Sequence, residues 1–135
     1  MPGIKKLTPE QRLDEQLIAA IDQIDKVKEG ISKEAPPKSV KTTLEQLDHL
    51  RNNCKAADSQ LKVSKGNKDK LSTELNKIRK ALQTLDKDPT MHQRSADLTL
   101  FWRIINQLNK YIDAVDLHSK KINAKVEGVT YEQLD

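Results

Sequence analysis

Glu45 and His49 stand four residues apart in a stretch of helix-forming residues. A carboxylate and an imidazole one helical turn apart can hold a metal inside a helical bundle. Such a site needs matching inward-facing sets on neighbouring helices, and the other histidines, His92 and His118, lie in separate segments without them. Glu45 and His49 are therefore expected to form a surface pair. Cys54 follows His49 by five residues, about 140° around a helix, so the two do not converge on one ligand. As the single cysteine it excludes an intrachain disulfide and fits a reducing compartment. It falls on an apolar stripe, which marks it as a small core residue rather than a nucleophile. Asp113 and Asp116, one turn apart, could be drawn as an acid pair, but beside an apolar stripe they are expected on a solvated face. The four glycines are isolated, so the chain has no glycine-rich phosphate loop. No catalytic, cofactor-binding or metal-binding residue is expected, no cofactor and no small-molecule substrate.

Charge offers a different chemistry. Residues 38–87 carry twelve Lys and Arg against six Asp and Glu, whereas residues 8–36 carry four against seven. Lys62, Lys65, Lys68 and Lys70 crowd one short stretch, with Lys77, Arg79 and Lys80 close behind. Such a cluster could meet phosphates, an anionic lipid surface or an acidic partner. Aromatic residues, which stack on bases in many nucleic-acid binders, are not interleaved with these lysines. A solubilising, charged hairpin tip is the favoured reading of the cluster, and an electrostatic binder of nucleic acid or anionic membrane is the alternative.

These residues must be placed by helices. Charged residues make up 33% of the chain and aromatics 3%, the balance of a helical bundle rather than a β sandwich. Thr8-Pro9-Glu10-Gln11 reads as a capping box with proline in the first turn, and Leu13, Leu17, Ala20, Ile24, Val27 and Ile31 follow at spacings of three and four. Gly30 and the segment from Ser32 to Pro37 stop this helix, predicted over 8–32. A second helix is predicted over 38–64, with Val40, Leu44, Leu47, Leu50, Cys54, Ala57 and Leu61 on its buried side. Ser64-Lys65-Gly66-Asn67 then signals a tight helical hairpin. Leu71, Leu75, Ile78, Leu82 and Leu85 carry a third helix over 68–86. Asp88 or Thr90 can cap a fourth, predicted over 90–127, whose stripe runs Leu98, Phe101, Ile105, Leu108, Ile112, Val115, Ile122 and Val126. Residues 1–7 are expected to be a flexible N-terminus and 128–135 a tail or the start of a further helix. Gly128 followed by Thr130-Tyr131-Glu132-Gln133 reads as a C-cap and a new capping box, which suggests the N-terminal part of a longer protein.

The chain is thus expected to be all-α, an antiparallel up-down bundle of four helical segments with a long C-terminal helix. That fourth helix would outrun its neighbours, and surplus stripe residues such as Ile112 and Ile122 are expected to be covered by a partner. Leu98 to Ile105 is apolar on nearly all sides, so Leu100, Trp102 and Ile104 join them as candidate partner-binding residues. No apolar run approaches the roughly 18 residues of a membrane span, and no signal peptide is evident. The expected function is a non-enzymatic protein-interaction or self-association module, cytoplasmic or nuclear, binding a helical surface or a second copy of itself.

Overall fold

The computed structural model describes residues 7–63 and 68–126, the side chains of Lys68 and of residues 117–126 excepted. Among the described residues there are four α-helices and one 3-10 turn: α1 Pro9–Glu34, α2 Pro37–Val63, α3 Lys68–Asp86, the turn Pro89–His92, and α4 Ala96–Val126. The fold is all-α. The predicted hairpin turn at Ser64–Asn67, the N-terminal six residues and the segment after Val126 lie outside the described residues.

Local chemistry sets the helix limits. Thr8 accepts from the backbone N–H of Gln11 at 3.1 Å and donates its own N–H to Gln11 Oε1 at 2.9 Å, so the capping box that starts α1 is complete. Gly30 does not end α1, which continues to Glu34. A single glycine costs a helix only about 1 kcal/mol. The stop is Ala35, held extended at φ −133° and ψ 150° because it precedes Pro36. Pro37 then occupies the first position of α2, where its missing N–H deprives the helix of nothing.

The fourth helix begins later than the capping candidates Asp88 and Thr90 suggested. Asp88 does act as a cap, accepting from Thr90 N–H at 3.0 Å, but what it caps is the 3-10 turn. That turn buries Met91, and the chain then bends through Gln93 before Ser95 caps α4 by accepting from Leu98 N–H at 3.3 Å. The correction moves the start of α4 from 90 to 96. At 31 residues α4 is still the longest element, against 26, 27 and 19 for the others.

α1 packs between α2 and α4, and α2 packs on α3, which closes an up-and-down bundle with its lightest helix contact between α3 and α4. Antiparallel pairing is visible in the side chains that cross the seam between α1 and α2. Asp25 meets Arg51 at 2.8 Å and Lys28 meets Asp48 between α1 and α2, so the numbers rise along one helix as they fall along the other. Leu13, Leu17, Ile24, Leu47, Leu50, Ile78, Leu85, Phe101, Ile105, Leu108 and Ile112 fill a continuous interior. Cys54 is part of it. Burial pushes its thiol up to about 12, which keeps the sulfur neutral and unreactive.

Candidate functional site

Helical phase sorts α4 into three faces. Leu98, Phe101, Ile105, Leu108, Ile112 and Val115 point inward and are buried. Ile112 is fully buried, so the expectation of a partner-covered surface there is corrected: its apolar area is already enclosed by the chain itself. Ile122 lies among the residues whose side chains are outside the description.

The second face of α4 meets α3. Trp102, Asn106, Asn109 and Asp113 look across a shallow groove at Arg79, Leu82 and Asp86. Trp102 is half-buried and packs on the core, with its ring edge-on to Phe101 at 5.0 Å and stacked on the imidazole of His92 at 5.1 Å. Its indole N–H donates to the carbonyl of Met91 at 2.7 Å. An indole with its one donor already used, and one ring neighbour on either side, is a clasp for the 3-10 turn. His92 Nε2 in turn lies 2.7 Å from the carbonyl oxygen of Asp86, so the turn is tied to both helices it joins.

Arg79 spans the same gap. Its guanidinium reaches Asp113 at 2.8 Å and Asp116 at 2.7 Å. Burial disfavours the charge, but the hydrogen bonds to Asp113 and Asp116 outweigh it and hold the group more basic than usual. Asp113 and Asp116 are therefore not a free acid pair, and Arg79 is not a free anion-binding cation. Sequence spacing could pair the two aspartates but could not show that an arginine 34 residues upstream would lie between them.

The remaining cations of the hairpin are only partly available. Lys62 pairs with Asp58 at 2.9 Å and Lys77 with Glu74 at 3.4 Å, each within its own helix. Lys70 and Lys80 are exposed and enter no ion pair among the described residues, while Lys65 and the side chain of Lys68 lie outside the description. Glu45 and His49 line a small groove with Thr42, Gln46, Ala81 and Thr84, and no third metal-ligating group joins them among the described residues. No helix among those residues is long and apolar enough to cross a membrane.

The third face of α4 carries an exposed apolar surface. Leu100 keeps 39% of its area open, and Ile104 and Tyr111, on the same side by their spacing of four and seven, are half-buried. This side borders α1 and lies across the helix from Trp102. Leu100 and Ile104 of the sequence-derived set thus share a face, and Tyr111, which the main stripe did not single out, joins them. Among the described residues the bundle thus has an apolar flank on α4, and Ile18 of α1 and Val63 of α2 are exposed as well. No known protein family matches the chain, and neither does any curated protein or solved structure.

Proposed function

We propose that the chain is a non-enzymatic helical interaction module that docks through the outer flank of α4. One observation carries the reading: Leu100 remains 39% exposed and Ile104 and Tyr111 continue its line half-buried, an aligned apolar row on one helix; the other exposed large apolar side chains described are Ile18 and Val63. Large apolar groups aligned on an accessible helix face are what helix-in-groove and helix-to-helix recognition use. Trp102, whose donor is taken by Met91, clasps the 3-10 turn on the other side of α4 and is not part of this docking flank. The hairpin lysines contribute charge and solubility, with Lys62 and Lys77 held by their own helices.

Site-specific photo-cross-linking in cells tests the reading. A photoreactive phenylalanine analogue in place of Leu100 or Tyr111 is expected to give a discrete protein adduct, whereas the same analogue in place of exposed Lys41 on α2 gives none. Equal yields at the three positions would overturn the assignment of the flank.

A further inference from the structure

The flank of α4 is bordered by charges that the chain leaves unpaired. Arg103 and Lys110, two helical turns apart, run beside Leu100, Ile104 and Tyr111 on the side away from α1. Glu15 and Asp22, also two turns apart, run along the neighbouring outer side of α1 with exposed Ile18 and half-buried Ala19 between them. All four charged side chains are exposed, and none makes an ion pair or hydrogen bond within the described residues. The opposite border of α1 behaves differently, since Asp25 and Lys28 are both satisfied by α2.

The two rows are in register. α1 and α4 are antiparallel neighbours, Gln23 Nε2 donates to the carbonyl of Asp97 at 2.9 Å, and Val27 and Leu98 wall the same cavity. Counting five residues in opposite directions from Val27 and Leu98 brings Asp22 level with Arg103. Seven further residues bring Glu15 level with Lys110. Within one chain each row lies on the far border of its own helix, so the charges face outward rather than toward each other.

We propose that this face is closed by a second copy of the chain, related by a two-fold axis parallel to the helices. The inference rests on the docking reading above and commits it to one occupant. Such an axis sets α4 of each copy against α1 of the other at unchanged height. Arg103 then meets Asp22 of the second copy and Lys110 meets its Glu15, and symmetry repeats both pairs. Leu100, Ile104, Tyr111 and Ala19 from both copies are enclosed between the charged rows, an apolar centre with a polar rim. The charges also discriminate against the other two-fold arrangement. An axis across the helices would lay the acidic row on its own copy and the basic row on its own copy, which like-charge repulsion opposes.

Light scattering over a concentration series up to about 1 mM tests this. The wild type is expected to approach twice its 15.3 kDa mass, with association weakening as salt rises. Arg103→Glu with Lys110→Glu, and separately Glu15→Lys with Asp22→Lys, should each weaken association at least about tenfold, because like charges then face across both halves of the interface. Helical circular dichroism should be unchanged, since all four positions are exposed. Mixing the two variants in equal amounts should restore the dimer, as each interface half again pairs unlike charges. A wild type that stays monomeric, a mass beyond two chains, a dimer indifferent to both variants, or a mixture that fails to reassociate would overturn the proposal. A monomeric wild type that still gives a heterologous adduct at Leu100 would leave the docking flank standing and remove only the second copy. Absence of any adduct there would remove both.

Discussion

Trp102 donates its indole N–H to the carbonyl oxygen of Met91 at 2.7 Å, and this bond locks the 3-10 turn onto the first turns of α4. Met91 is fully buried beneath it. Trp102→Phe keeps most of the packing and removes the donor, so urea unfolding should show a loss of about 1 kcal/mol. Trp102→Ala also removes the ring that touches Phe101 and His92 and should cost about 3 kcal/mol. Equal stability of the two variants would show that the hydrogen bond and the packing do not divide in this way.

Arg79 holds α3 to α4 where the helices approach least closely. A double-mutant cycle of Arg79→Ala with Asp113→Asn and Asp116→Asn should give a coupling of about 1 kcal/mol, small because the guanidinium is about a third exposed and solvent screens it. The coupling should shrink in about 1 M salt. A coupling unaffected by salt would point to packing of the arginine stem instead.

Cys54 should resist thiol reagents in the native state at neutral pH and react fully in urea, since attack requires an exposed thiolate. Its raised value also makes a pH prediction with a defined sign. The unfolded thiol ionises near 9.0, whereas the folded one stays protonated until about 12. Folding therefore keeps its full contribution from this group below pH 9 and loses it as pH rises toward 12. Wild type should lose about 1 kcal/mol more than Cys54→Ala between pH 8 and pH 10. Parallel stability curves for the two proteins would contradict the buried thiol.

Ile112 offers the clearest stability test of the corrected interior. Ile112→Ala should cost about 2 to 5 kcal/mol, and Ile112→Asp should prevent folding by burying an unpaired carboxylate. A folded, merely dissociated Ile112→Asp variant, detected by circular dichroism and light scattering, would return this residue to an intermolecular surface.

Much of the architecture was legible along the chain. Apolar residues at spacings of three and four can share a side only on a helix, so the stripes of Leu13 to Val27, Val40 to Ala57, Leu75 to Leu85 and Leu98 to Val115 located the buried faces without reference to one another. Thr8 with Gln11, and Pro37 after Ala35, act within a few residues and announced their helix ends. The start of α4 was misplaced because Asp88 caps the short 3-10 turn rather than the helix, and a capping residue does not record how far the element after it runs.

What periodicity could not supply is which side of a helix its neighbours occupy. Ile112 and Leu100 are both apolar members of one long helix, yet one is enclosed and the other open, because α1 and α3 cover some directions of α4 and leave another bare. Asp113 and Asp116 read as a solvated pair until α3 brings Arg79 between them. By itself, the sequence determined the helices, their buried stripes and the all-α class, since those follow from interactions a few residues apart. Only the tertiary structure decided the fate of Ile112, the clasp around Trp102 and the open flank at Leu100, because each depends on which distant segment packs against a given face.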